Sequence, residues 1–102
     1  MFFPLESLTV NLQSDDGTMH YLRAGLTLKL RDEKAQLLVT EHMPEVRSHV
    51  LLLLSAPPDD LSTVDGKKQL ANELRTAVEI AASSAKKPVR IEEVLFTEFV
   101  VQ

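Results

Sequence analysis

Acidic and histidine side chains near the middle of the chain are the first candidates for chemistry. Glu45 and His49 are four residues apart, a spacing that puts both on one face of a helix. His42 lies about one turn earlier, across Pro44. A zinc site needs three or four converging ligands, and this segment offers only a pair on one face. The pattern is more typical of a solvated helix face, with a small metal-binding enzyme using Glu45 and His49 as the alternative.

Other short motifs are similar to functional sequences but do not complete them. The Asp-Asp-Gly sequence at 15–17 lacks the spaced oxygen ligands of a calcium loop and is typical of a tight hairpin turn. The Gly-Lys-Lys sequence at 66–68 lacks the first glycine of a phosphate-binding loop, because Leu61 occupies that position. Glu92 and Glu93 are neighbours on an expected strand, so they point to opposite faces and do not form a catalytic pair.

Serine provides no nucleophile either, since no serine lies in a nucleophile-elbow pattern. The residue types and spacings therefore predict a protein that is not an enzyme and that uses no cofactor and no resident metal.

Arg47 is the charged residue that most suggests a contact. It lies near the start of an expected helix, where the helix dipole disfavours a cation. Either a partner carboxylate or carbonyl holds it there, or it is a surface arginine with a buried stem.

Composition narrows the class of protein. The chain has 102 residues, 44% of them hydrophobic, a net charge of -4 and no cysteine. This predicts one domain over residues 1–102 and excludes disulfides and thiolate metal sites. Nucleic-acid binding is not expected, because the sequence contains no evident basic patch. The longest apolar run, residues 50–54, is far shorter than the ~20 residues that cross a bilayer, and the abrupt apolar start after Met1 suggests an excised domain.

Alternating apolar residues predict a β-hairpin near the start of the chain. Leu8, Val10 and Leu12 alternate with polar residues, which is typical of a half-buried strand. After the turn at 15–17, leucine or alanine occupies every second position from Leu22 to Leu30. We therefore expect an antiparallel pair with one apolar and one solvated face.

Helical patterns fill the middle of the chain. Asp32 is the expected N-cap of a first helix that runs to about Met43, and Pro44 suits the first turn of a second helix that ends at Ser55. Residues 51–54 are four leucines, which point in nearly every direction around a helix, so no single face buries them all. The sequence at 56–60 should end this helix, and a capping box at 62–65 should start a third. The third helix carries one apolar stripe: Leu70, Leu74, Ala77, Val78 and Ala81.

The last segment, residues 89–102, is the strongest strand candidate. One alternate set is Leu95, Thr97, Phe99 and Val101, and the other is Val94, Phe96, Glu98 and Val100. Both faces are mostly apolar, so both need cover, one from a helical layer and the other from a further layer or a neighbouring subunit. The whole pattern predicts an α+β fold, a small antiparallel sheet of about three or more strands covered by a helical layer.

Several segments, taken in order, carry a family resemblance. They are Phe-Pro-Leu at 3–5, Thr-Val-Asn-Leu at 9–12, Tyr-Leu-Arg at 21–23, Leu-Thr-Leu-Lys-Leu at 26–30, Pro-Glu-Val-Arg at 44–47, Leu-Leu-Leu-Leu-Ser at 51–55, Gly-Lys-Lys at 66–68 with Leu70 and Leu74, and Val-Leu-Phe-Thr-Glu-Phe-Val-Val-Gln at 94–102. In this order and spacing the chain resembles the periplasmic domain of the FliL family of flagellar basal-body-associated membrane proteins. The resemblance covers nearly the whole chain.

The resemblance implies properties that the residues alone do not. It implies a periplasmic domain of a single-pass bacterial inner-membrane protein at the flagellar basal body, with the N-terminal transmembrane helix missing from this chain. It implies a stomatin/prohibitin-like (SPFH) fold that assembles into homo-oligomers or rings. It also implies association with the stator proteins MotA and MotB, whose active state the family supports during flagellar rotation and swarming. The family has no accepted catalytic residues.

A ring of identical subunits needs a heterologous interface, in which two different patches of one subunit meet. We expect one patch on the second helix, with Arg47, Leu51 and Leu52. The other is expected on one face of the terminal strand: Phe96, Glu98 and Val100. The alternative is a monomeric periplasmic binding module in which the same apolar side chains are simply core.

Overall fold

A computed structural model describes residues 1–57 and 60–102. Its strands are β1 (Phe2–Pro4), β2 (Leu8–Gln13), β3 (Met19–Leu30) and β4 (Ile91–Val101), and its helices are α1 (Glu33–Glu41), α2 (Met43–Ser55) and α3 (Val64–Ala82). All strand pairs are antiparallel, and the helices follow one another between β3 and β4. The predicted α+β fold is confirmed. The expected helix break at 56–60 includes Pro58 and Asp59, which lie outside the described residues.

β3 is the central strand of the sheet. β4 pairs with β3 from Leu22 to Leu30. β2 pairs with β3 from Met19 to Ala24, and β1 from Thr27 to Lys29. Because both ranges overlap the β4 pairing, β1 and β2 must lie along the opposite edge of β3. The predicted hairpin of β2 and β3 is confirmed, and β4 is an outer strand.

The apolar face of β3 forms the floor of the core. Leu22, Ala24, Leu26, Leu28 and Leu30 are at most 2% exposed, which confirms the predicted alternation. The helices pack on this face and bury their own apolar stripes against it. The fully buried residues of that layer are Val39, Val46, Val50, Leu54, Leu70, Leu74, Val78 and Ala82. Fully burying each of these valine and leucine side chains stabilises the fold by roughly 1.5–3 kcal/mol.

Local signals place the turns and helix ends as the sequence indicates. Gly17 has a φ of +83°, the left-handed conformation that the Asp-Gly turn requires. The Ala35 N–H donates to Asp32 Oδ1 (3.0 Å) at the start of α1, and the Gly66 N–H donates to Thr63 Oγ1 (2.9 Å) at the start of α3. Pro44 lies in the first turn of α2, where its missing N–H costs no helical hydrogen bond.

Candidate functional site

The four leucines of α2 lie in three different environments. Leu54 is fully buried, and Leu51 and Leu53 are half-buried against the core. Leu52 is 70% exposed. The expectation that one face cannot bury all four is confirmed, and the exposed member faces away from the domain's own core.

Arg47 lies beside these leucines. Its Nη1 is 3.5 Å from Glu6 Oε2, and the Arg47 side chain is 42% exposed. The carboxylate that holds it therefore belongs to the same chain, at the connection between β1 and β2. A solvent-exposed ion pair of this kind contributes less than about 1 kcal/mol, so Arg47 remains able to exchange Glu6 for another partner.

A shallow groove runs along the outer surface of α2 at this point. Its volume is about 640 Å³. It is lined by Met43, Pro44, Arg47, Ser48, Leu51 and Leu52. We call Arg47, Leu51 and Leu52 the α2 patch, because the structure brings these predicted residues together on one open surface.

The terminal strand does not present its side chains as predicted. The pairing of β4 with β3 shifts register at two places, between Gly25 and Leu26 and between Lys29 and Leu30 of β3. Glu98 pairs with Gly25 but Phe96 pairs with Leu26, so Thr97 is an extra residue on β4. A β-bulge of this kind shifts the side-chain alternation by one position. The expectation that Phe96 shares a face with Glu98 and Val100 is therefore wrong.

Phe96 faces the helical layer. Its ring meets the ring of Phe99 edge-on, with 5.1 Å between centroids, and both side chains pack against the core. Lys67 Nζ of α3 lies 5.3 Å from the centre of the Phe99 ring. Phe96 thus lines the groove between α3 and β4 and does not lie on the open face of the sheet.

Glu98 and Val100 lie on the face of the sheet that the helices leave open. Glu98 accepts a hydrogen bond from Arg23 Nε of the neighbouring strand β3, so its polar contact lies within the chain. Val100 is 41% exposed. We call Glu98, Val100 and the outer edge of β4 the β4 surface. No strand among the described residues pairs with that edge, a feature that the sequence patterns did not reveal.

The α2 patch and the β4 surface lie on opposite sides of the domain. In the helical layer, α2 packs on α3 and β2, whereas α3 packs on β4. In the sheet, β3 separates β2 from β4. A neighbouring molecule can therefore contact one of these surfaces without covering the other.

The proposed metal ligands lie on the surface. Glu45 and His49 are exposed on α2. Among residues 1–57 and 60–102, no three His, Cys, Asp or Glu side chains form a group that could hold a metal ion. In the same part of the chain, no helix has the length and apolar character needed to span a bilayer.

Comparison with known proteins places this fold in a family. A family model described as "Flagellar basal body-associated protein FliL" matches residues 2–102. The chain belongs to the FliL family. FliL proteins form a flagellar accessory family that is not known for enzymatic activity, and they are associated with the flagellar basal body.

Named FliL relatives align along nearly the whole chain. The "Flagellar protein FliL" of Escherichia coli (strain K12) is 34% identical over 103 residues, which covers 100% of this chain and 65% of that protein. The "Flagellar FliL protein" of Caulobacter vibrioides (strain NA1000 / CB15N) is 34% identical over 97 residues, which covers 93% of this chain and 47% of that protein. The chain thus spans less than two thirds of the length of these FliL proteins.

Proposed function

We propose that this chain is the single periplasmic domain of a bacterial inner-membrane FliL protein that assembles with copies of itself beside the stator proteins MotA and MotB. The assembly stabilises the active state of the stator and so supports flagellar rotation and swarming. No chemical step is needed, because a partner that binds the active state more tightly shifts the population toward it.

One observation carries the proposal: two unlike, uncovered surfaces lie on opposite sides of the same domain. The α2 patch combines a cation with exposed leucine, and the β4 surface combines an outer strand edge with exposed valine. Contact between the α2 patch of one copy and the β4 surface of the next is heterologous, and repetition of such a contact produces a ring or a filament.

Surface area indicates how strong such an assembly can be. A stable interface buries about 800 Å² on each partner, so two of them would cover about a quarter of the 6502 Å² of accessible surface of this domain. The exposed apolar side chains of the α2 patch and β4 surface are few. We therefore expect weak association of the free domain and stronger association where a membrane anchor raises its local concentration.

Reversal of the Arg47 charge tests this arrangement. In the membrane-anchored full-length protein, Arg47→Glu should weaken both the ladder of crosslinked oligomers and swarming, because it places a carboxylate in the contact. Glu6→Gln is the matched control, since it removes the same ion pair within the chain but leaves the Arg47 cation in place. It should leave crosslinking and swarming unchanged.

An unchanged ladder and unchanged swarming in Arg47→Glu would rule out this assignment. The main alternative is a monomeric periplasmic binding module. This alternative is favoured by two ion pairs within the chain, because Arg47 pairs with Glu6 and Glu98 pairs with Arg23. Neither charge therefore needs a partner on a second copy. Site-directed crosslinking in cells, with and without the stator, separates the two, because a monomeric module would give stator contacts but no contacts between copies.

A further inference from the structure

Folding collects basic residues that are scattered along the sequence at one end of the domain. Arg31 directly follows β3 and Arg90 directly precedes β4, where Leu30 pairs with Ile91. Lys34 lies in the first turn of α1, and Lys86 and Lys87 lie in the turn that leads into β4. All five side chains are exposed. We call these five residues the basic end.

The opposite end of β3 is acidic. Asp15 and Asp16 form the turn before β3, and the 12 residues of that strand separate this turn from the basic end by about 36 Å. The Debye length at 0.1 M salt is about 10 Å. A charged partner that binds at the basic end is therefore screened from the acidic turn. Such a partner responds to the local charge of the basic end and not to the net charge of -4 of the whole chain.

Acidic residues are fewer at the basic end and some are already engaged. Asp32 Oδ1 accepts the N–H of Ala35 as the cap of α1. Glu92 Oε2 lies 4.0 Å from Lys29 Nζ. Glu33 is exposed beside Lys34, and the exposed Glu93 pairs with Lys29 across β3 and β4. Positive charges still outnumber negative charges at the basic end, but the two signs are interspersed.

Exposed apolar side chains accompany these cations. Phe2 is 61% exposed and pairs with Lys29 on the adjacent strand. Met1 is also exposed, and its backbone oxygen accepts the N–H of Leu30 (2.7 Å), which places it at the same end. Leu37, 68% exposed, lies one helical turn after Lys34. Cations interspersed with exposed phenylalanine and leucine are typical of surfaces that rest in the membrane interface.

We infer that the basic end binds the surface of a lipid bilayer that carries anionic headgroups. The lysine and arginine side chains meet the headgroups, and Phe2, Met1 and Leu37 insert among them. A polyanion in aqueous solution would bind the cations but would not bury the exposed apolar side chains. This contact does not depend on the proposed self-assembly, because it uses an end of the strands and not the sides of the sheet.

Vesicle sedimentation tests the inference. The 102-residue chain should sediment with vesicles of phosphatidylglycerol and phosphatidylcholine but not with phosphatidylcholine alone, and binding should fall as salt is raised. Each lysine or arginine near an anionic surface contributes roughly fivefold in partitioning, so Lys86→Gln with Lys87→Gln should lower binding about 25-fold. Lys67→Gln with Lys68→Gln is the matched control. It removes the same amount of positive charge near the start of α3, away from the basic end, and should lower vesicle binding far less.

A second substitution tests the apolar part. Phe2→Ser should lower vesicle binding at a salt concentration where electrostatic attraction is already weak. Circular dichroism of each variant checks that the fold is retained. Equal sedimentation with both vesicle types, no sedimentation with either, or equal losses in the two lysine pairs would overturn the inference. If a soluble poly-glutamate binds as tightly as the vesicles and Phe2→Ser has no effect, the basic end is a site for an acidic protein instead.

Discussion

At the scale of single residues, identical side chains have different roles because of where the backbone places them. Leu52 and Leu54 are two positions apart on α2, yet the first is 70% exposed and the second is 0% exposed. Two residues correspond to about 200° around a helix, so one of them must face away when the other faces the core. The four-leucine sequence alone indicates that some leucine is exposed but does not identify it without the register of the helix.

Alanine substitutions at these positions should differ sharply. Leu54→Ala removes a fully buried side chain and should lower the free energy of unfolding by about 2–5 kcal/mol. Leu52→Ala removes exposed atoms and should change it by less than about 0.5 kcal/mol. Urea unfolding followed by circular dichroism measures both values. Similar losses in the two variants would contradict the register of α2 described above.

Asp16 gives the tip of the hairpin a dependence on pH. Hydrogen bonds from Thr18, from its hydroxyl and then from its backbone N–H, hold the pKa of the Asp16 carboxyl below its ordinary value. A lowered pKa in the folded state means that the ionised form stabilises the turn. That contribution is complete above the ordinary carboxyl pKa of about 4 and is lost as the pH falls through the lowered value.

The stability difference between the wild type and Asp16→Ala should therefore be constant near neutral pH and shrink below about pH 4. Thermal unfolding at a series of pH values measures it. Asp15→Ala is the control at the adjacent exposed position, and its difference from the wild type should be smaller at neutral pH. A difference for Asp16→Ala that grows as the pH falls would contradict the assigned direction of the pKa shift.

At the scale of elements, β-bulges decide which residues of β4 share a face. Simple alternation places Phe96 with Glu98 and Val100, but the extra residue Thr97 turns Phe96 toward Phe99 and the helices. A bulge depends on how one strand pairs with another, so it leaves little trace in the sequence of a single strand. The hairpin of β2 and β3 was predictable because its pairing from Met19 to Ala24 has no such irregularity.

Gly66 links two elements, the start of α3 and the connection before it. A Cβ at this position would overlap the backbone oxygen of Asp60. Alanine is favoured over glycine by about 1 kcal/mol inside a helix, but a backbone clash this close forces the connection to move. Gly66→Ala should therefore destabilise the domain in urea unfolding, whereas the exposed Gln69→Ala on the same helix should be nearly neutral. A more stable Gly66→Ala variant would show that the connection yields easily.

At the scale of the whole molecule, the surfaces proposed for self-assembly and for membrane binding lie in different directions. The α2 patch and the β4 surface lie on opposite sides of the domain, in the direction perpendicular to the strands. The basic end lies at one end of the strands, with the acidic turn at the other end. Copies joined side by side through the α2 patch and the β4 surface would present all their basic ends on one rim. Self-assembly and attachment to a membrane surface are thus compatible in one arrangement.

The sequence by itself determined the α+β class, the hairpin, the three helices, the caps that begin α1 and α3, and the family. Each of these depends on periodicity, on capping chemistry or on an ordered set of segments, all of which are local along the chain. The tertiary structure decided which leucine of α2 is exposed, which face Phe96 occupies, that β4 is an outer strand, and that Arg31, Lys34, Lys86, Lys87 and Arg90 meet at one end. These depend on strand pairing and helix packing between residues far apart in sequence, and the energies of such contacts exist only once the chain has folded.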